Sequence, residues 1–164
     1  MQIHRIIALL LMFFTPVVFG QEISTERQIW EKLQKRMEQG IKGDFRLTKK
    51  AAKIPKELIS QGNFSISQKD GVIWETEKPF PDKNVFTMDK LNEYFSGNFD
   101  ELAKKFDLKL ERDGLMDKLT LIPKEKSIKK MIASVTMLVN ENNLQNCKII
   151  WANGDYAFYE FMVP

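Results

Sequence analysis

The sequence predicts an α+β domain, in which a strongly curved antiparallel sheet packs against an N-terminal amphipathic helix and short helical pieces. Three observations carry this prediction. A helical stripe lies between residues 25 and 40, a hairpin with one apolar face lies between 62 and 79, and three strands joined by turn sequences run from 131 to 163. The last three strands are apolar on both faces, whereas an open sheet packed once needs only one apolar face. The sheet is therefore expected to curve around an interior.

The first element is a helix that begins after Ser24 or Thr25 and continues to about Gly40. Thr25 and Gln28 have the spacing of a capping box. Its apolar positions recur at helical spacing and form one stripe: Ile29, Trp30, Leu33 and Met37. This stripe fits two interpretations, a helix packed on a sheet or one wall of a hydrophobic cavity.

The hairpin, GNFSISQKDGVIWETEKP, turns at Asp70-Gly71, a pair that readily adopts the positive φ of tight turns. Side chains alternate between the two faces of a strand, so the even-numbered apolar residues share one face. These residues are Phe64, Ile66, Val72 and Trp74. A sheet with one apolar face needs a cover, and the nature of that cover is the functional question.

The remaining pattern is assigned in order. Strands are predicted over 43–49, 54–60, 106–112, 118–123, 131–140, 144–152 and 156–163, with helices over 89–95 and 98–106, and a helical turn or loop over 124–130. The segment PFPDKN after Pro79 is predicted to be a loop because of its two prolines. In strand 131–140 the inward face stays open, because Val135, Met137 and Val139 compete with Thr136 and Leu138.

Residues 1–20 have the features of an export signal: Arg5, an apolar run from Ile6 to Phe14, and a cleavage position near Gly20-Gln21. The run is short for a membrane span, although a retained anchor is the alternative. The expected mature protein is one domain, residues 21–164. Removing Arg5 lowers the net charge from +3 to +2, and interspersed Lys and Glu leave no basic stripe for nucleic acid.

The residue inventory also limits the chemistry. The single histidine, His4, lies in the signal, which excludes Ser-His-Asp and Cys-His systems and histidine-containing zinc sites from the mature domain. Cys147 is alone and is expected to be a buried packing residue. Glu75 and Glu77 share a face as a glycosidase pair would, but solvated surface is the ordinary role of such a pair. We expect no catalytic residue, no metal and no cofactor.

Several motifs in chain order resemble the LolA-type periplasmic lipoprotein carriers and their LolA-like relatives. They are the early helix, GDFRLTK, QGNFSIS followed by VIWETEKP, YFSGNFDELAKKFDLKL, LTLIPK and IIWANGDYAFYEF. The resemblance implies an unclosed half β-barrel whose concave face is covered by helices. It differs from the family at Gln68, where the carriers have an Arg that bonds to the covering helices; Gln lacks the charge and the forked donors of Arg. The segment 79–94 is also shorter than in typical relatives.

The resemblance further implies a monomeric periplasmic carrier or binder of lipid or lipoprotein acyl chains, served by an inner-membrane donor and an outer-membrane acceptor. The residues expected to contact the lipid are Trp30, Leu33, Phe64, Ile66, Gln68, Val72, Trp74, Leu119 and Leu121. The competing interpretation is that they form ordinary core under the helix. The competing function is a non-enzymatic module that binds another envelope protein.

Overall fold

The computed structural model describes residues 25–67, 69–86, 99–141 and 143–164. The described helices are α1 (Glu26–Glu38), α2 (Phe99–Lys105) and α3 (Lys126–Lys129). The described strands are β1 (Ile41–Lys50), β2 (Leu58–Ser67), β3 (Gly71–Lys78), β4 (Asp82–Phe86), β5 (Phe106–Asp113), β6 (Met116–Pro123), β7 (Ile132–Asn140), β8 (Asn143–Trp151) and β9 (Tyr156–Met162). The expected signal segment, the expected helix 89–95 and Gln68 lie outside these ranges.

The described strands form one antiparallel sheet in the order β4-β3-β2-β1-β9-β8-β7-β6-β5. Two meanders, β1–β4 and β5–β9, are joined where β1 pairs with β9, with Phe45 opposite Phe161. The outermost strands β4 and β5 do not pair with each other, so the sheet is not closed. The predicted α+β architecture, an unclosed half-barrel with a long N-terminal helix, is confirmed.

Helix α1 begins with the predicted capping box. The backbone N–H of Gln28 donates to Thr25 Oγ1 at 3.3 Å, and the N–H of Thr25 donates to Gln28 Oε1 at 2.8 Å. These bonds satisfy two of the N–H groups that a helix leaves without intrahelical partners at its start. The helix ends before Gly40, whose φ of +86° reverses the chain into β1.

The β2–β3 hairpin has the register that alternation predicts, because Phe64 pairs with Trp74 and Ile66 pairs with Val72. The separate strand predicted over 54–60 is wrong. Its second half and QGNFSIS form one strand, β2, while Ile54 precedes it in the loop. This strand pairs with β1 in unbroken register from Leu58 to Ile66, and the extra residue of the β2–β3 bulge, Glu77, lies in β3.

The prediction of a loop for PFPDKN is also wrong, because Asp82–Phe86 forms β4 and pairs with β3. Both prolines of this stretch, Pro79 and Pro81, precede the strand, so their missing N–H groups are not needed in the ladder. β4 lies at the edge of the sheet, where charged residues are tolerated. Lys83 sits opposite Glu75 and forms an ion pair with it at 2.5 Å.

The register across β6, β7 and β8 decides the inward face of β7. Met137 pairs with Leu119 on one side and with Cys147 on the other, and the three side chains share a face. Val135, Met137 and Val139 are buried, whereas Thr136 and Leu138 are only partly buried. We call the face that carries Met137 and packs against α1 the inner face of the sheet.

Candidate functional site

Five aromatic rings meet on the inner face where β1, β2, β3 and β9 lie side by side. They belong to Phe45, Phe64, Trp74, Tyr159 and Phe161, which we call the aromatic cluster. Trp74 is its centre, because its ring centroid lies within 4.1 to 6.2 Å of the other four. Tilted and edge-to-face pairs at such distances are the favoured arrangements of aromatic rings.

Local sequence and long-range pairing build this cluster together. Phe64 and Trp74 are opposite each other in the β2–β3 hairpin, and Phe45 and Phe161 are opposite each other in the β1–β9 pair. Edge-to-face packing of Phe64 on Phe161, at 5.3 Å and 72°, then links the hairpin to the C-terminal strand. The cluster therefore exists only after the two ends of the chain have paired.

The aromatic cluster is only partly withdrawn from solvent. Phe45 and Phe64 are 1% and 4% exposed, whereas Trp74, Tyr159 and Phe161 are half-buried. Ile41, Ile66 and Val163 pack at its margin and are also half-buried. The inner face here thus presents apolar surface that the described residues do not fully cover.

A second group of buried residues, the helix-covered core, fills the other half of the inner face. It lies where α1 and α2 pack on β5 to β8, and its fully buried members include Ile29, Leu102, Leu119 and Leu121. Partly buried Cys147 packs against the helix-covered core, and burial raises the pKa of its thiol to about 12. This agrees with the expected packing role, since the thiolate is the reactive form.

The residues expected to contact lipid are divided between these two groups. Trp30, Leu33, Leu119 and Leu121 lie in the helix-covered core, and Phe64, Ile66 and Trp74 lie in the aromatic cluster. Val72 is half-buried and pairs with Ile66 beside the aromatic cluster. Gln68 lies outside the described residues. Of the two interpretations made from sequence, core under the helix describes Leu119 and Leu121, whereas Phe64 and Trp74 belong to a separate, partly open surface.

Sequence reasoning did not place Phe45, Tyr159 or Phe161 in the candidate site. The available signal was alternation, since Tyr159 and Phe161 are two residues apart in the last strand, as Phe45 and Leu47 are in the first. Alternation assigns residues to a face but not to a partner strand. Burial raises the pKa of the Tyr159 phenol above its ordinary value of 10.0, so the ring, neutral at physiological pH, also stays neutral further into the alkaline range.

One buried donor in the helix-covered core has no acceptor among the described residues. The indole Nε1 of Trp30, a residue only 6% exposed, has no hydrogen-bond partner there. An unsatisfied buried N–H costs about 1–3 kcal/mol. Trp30 is thus held in place by packing on its ring and not by its polar group.

The described residues contain no cluster of three or more His, Cys, Asp or Glu side chains suited to a metal ion. The acidic pair noted in the sequence is engaged elsewhere, because Glu75 pairs with Lys83 and Glu77 accepts from Asn63 Nδ2 at 3.2 Å. No described helix is both long and apolar enough to cross a membrane.

Comparison with known proteins places the fold but not a family. No protein-family model matches the chain, and no curated protein matches it. Among solved structures, the chain is similar to MucB in complex with MucA(peri), with a TM-score of 0.52 and 11% identity over 83% of this chain. The chain spans about half of MucB, 54% of its length.

A second solved structure is a LolA superfamily protein from Nitrosomonas europaea. The similarity extends over 84% of the present chain and 91% of the Nitrosomonas protein, at 9% identity. The TM-score is 0.37, which is too low to carry an argument. The structural similarity to MucB thus shows a shared fold over the aligned part of the two chains, at low sequence identity.

Proposed function

We propose that this protein binds the acyl chains of lipids or lipoproteins on the aromatic cluster and carries them through the periplasm. The observation that supports the proposal is the half-buried centre of that cluster, Trp74 with Tyr159 and Phe161, on the inner face of an unclosed sheet. Exposing a methylene to water costs about 0.8 kcal/mol, so a long acyl chain needs such an apolar surface during transit.

The chemistry of the cluster suits a cargo that lacks directional groups. Flat rings and branched aliphatic side chains bind hydrocarbon through area alone, without exact hydrogen-bond geometry. The step requires no bond to be made or broken, so no catalytic residue or cofactor enters the proposal. The remaining expected contacts, Trp30, Leu33, Leu119 and Leu121, would act as the packed support of this surface, and Val72 and Ile66 as its margin.

The proposed function also requires export of the protein to the periplasm. The signal-like segment 1–20 would direct the domain 21–164 to the periplasm, where a carrier would receive cargo from an inner-membrane donor and deliver it to an outer-membrane acceptor. Mass spectrometry of lipids that copurify with the protein from its own envelope should identify acyl-bearing molecules. A protein that is lipid-free in this measurement and also fails to bind acyl probes would refute the carrier function.

The binding surface is tested by a charge placed on either face of one strand. Val72 and Ile73 are adjacent in β3, are both half-buried, and point to opposite faces. Binding of a fluorescent fatty-acid probe should be weakened by Val72→Glu and unaffected by Ile73→Glu. Circular dichroism should show that both variants are folded. Equal probe binding by the wild type and a folded Val72→Glu would contradict the proposed surface.

The second candidate function is that of a module that binds another envelope protein. The similarity to MucB favours it, since that structure contains a bound protein, MucA(peri). Crosslinking in intact cells with a photoreactive residue at Trp74 distinguishes the two candidates. A crosslink to one defined protein, together with an absence of bound lipid, would favour the partner-binding module.

A further inference from the structure

A basic groove lies between the C-terminal half of α1 and the start of β8. Its lining residues are Lys32, Lys35, Arg36, Gln39 and Asn143, and its volume is about 480 Å³. Lys32, Lys35 and Arg36 of α1 and Gln39, which caps its C-terminus, are spaced i, i+3, i+4 and i+7, so they lie on one face. Asn143, the first residue of β8, forms the opposite wall.

The groove has an excess of positive charge. None of Lys32, Lys35 and Arg36 forms an ion pair within the described part of the chain, where eight other ion pairs occur. The described acids next to these residues in sequence are Glu31, Glu38 and Glu141. None of them lines the groove, and Glu31 pairs with Arg27. Three cations therefore face one groove, and no carboxylate of residues 25–67, 69–86, 99–141 or 143–164 lines it.

A helix dipole alone accounts for part of this arrangement, because cations are favoured near a helix C-terminus. It does not account for a cavity or for the tether that holds one cation in place. Arg36 Nε donates to Asn143 Oδ1 at 3.4 Å, which directs the guanidinium across the groove. The remaining N–H groups of the Arg36 guanidinium and the ammonium groups of the two lysines are all hydrogen-bond donors. Such donors complement the acceptor oxygens of a phosphate.

The groove lies at the rim of the sheet where the aromatic cluster also ends. Gln39 is separated from Ile41, the first residue of β1, only by the Gly40 turn. Ile41 pairs with Ile66, and both pack at the margin of the aromatic cluster. The neighbouring strand β9 ends at this rim too, with Val163 against the same cluster. Apolar surface thus approaches the cationic cavity along one edge of the fold.

From this juxtaposition we infer that the basic groove binds a phosphate-bearing head group, so that the cargo is an anionic amphiphile with its hydrocarbon on the aromatic cluster. This inference rests on the proposed function and specifies its ligand class. Lys124, outside the groove, differs from the three groove cations: its Nζ donates to the Ala103 carbonyl and lies 3.7 Å from Asp107.

The test compares two lysophospholipids with the same acyl chain, lysophosphatidylglycerol and lysophosphatidylcholine, by displacement of a fluorescent fatty-acid probe. The wild type should bind the anionic lipid about tenfold more tightly, and the preference should shrink at high salt because exposed charges are screened. The triple variant Lys32→Gln, Lys35→Gln, Arg36→Gln should lose this preference and bind both lipids with similar affinity, no higher than the wild-type affinity for the zwitterionic lipid, which also carries a phosphate.

A matched control removes the same charge far from the groove. Lys53, Lys56 and Lys109 are exposed and do not line it, so their triple Gln variant should keep the full preference. If both lipids bind the wild type equally, the inference fails while the proposed function stands. If neither lipid binds, the proposed function fails first. If inorganic phosphate binds the groove without any preference between the lipids, the groove is a site for free anions and the inference is overturned.

Discussion

The rings of Phe45 and Trp74 lie 4.1 Å apart between centroids, tilted by 35°, although their strands are not neighbours. β2 runs between β1 and β3, and the β2 residue paired with Phe45 is Gly62. Because Gly62 has no side chain, the two large rings from the flanking strands can meet over β2. The centre of the proposed binding surface therefore depends on a glycine as well as on aromatic residues.

Gly62→Ala should strongly destabilise the protein. A Cβ at this position would lie 1.9 Å from the carbonyl oxygen of Glu75. This oxygen is a backbone atom, so it can move only if β3 moves with it. We expect the free energy of unfolding to fall by about 2–4 kcal/mol, measured by urea titration. Gly114→Ala is the control, because Gly114 has open space around it and only the strain of its φ of +62° is added, at about 1–2 kcal/mol. Equal losses in the two variants would show that the close approach at Gly62 does not matter.

The two halves of the inner face should respond differently to truncation. Leu121→Ala removes a fully buried side chain from the helix-covered core and should cost about 2–5 kcal/mol of stability. Trp74→Ala should chiefly weaken acyl-probe binding, since its ring is half-buried on the open surface. Leu115→Ala, at an exposed position, should change neither quantity. Loss of probe binding in a folded Leu121→Ala with retention in Trp74→Ala would reverse the assignment.

Cys147 should be nearly inert toward thiol reagents in the folded protein. Burial raises its thiol pKa from 9.0 to about 12, which lowers the thiolate fraction at pH 8 about a thousandfold. A chromogenic disulfide reagent should label the native protein far more slowly than the urea-unfolded protein, and Cys147→Ala should give no signal. Complete labelling of native protein at the unfolded rate would contradict the buried thiol.

The same thiol predicts the direction of an alkaline effect on stability. Because the folded-state pKa is the higher one, the unfolded chain loses its thiol proton first, and the stability contributed by the neutral buried thiol is present below about pH 9. It is lost as the pH rises toward about 12. Relative to the wild type, Cys147→Ala should therefore lose less stability between these limits in urea titrations at a series of pH values.

The capping box of α1 should contribute measurably to stability. Thr25→Ala leaves the backbone N–H of Gln28 without its acceptor and should cost about 1 kcal/mol in urea unfolding. Thr25→Ser keeps the hydroxyl and should be close to wild type. The pair Thr25→Ala and Gln28→Ala should be less than additive, because each residue supports the other. Full additivity would indicate that the two bonds act independently.

Local patterns predicted the elements whose information lies within a few residues. The capping box at Thr25, the pairing of Phe64 with Trp74 and the closing three-stranded meander all follow from helical spacing, alternation and turn residues. β4 escaped prediction because its sequence, with charges and preceding prolines, carries no strand signal. It is extended because β3 offers it an edge.

By itself the sequence determined the fold class, the helix that carries Trp30 and the face of the hairpin that carries Trp74. Only the tertiary structure decided that these two tryptophans belong to different apolar groups. Trp30 lies in the helix-covered core, and Trp74 lies in the partly exposed aromatic cluster. It also brought Phe161 to Phe64 through the pairing of the first and last strands. The physical reason is that alternation assigns a side chain to a face, whereas strand order and helix placement, set by contacts distant in sequence, determine its neighbours.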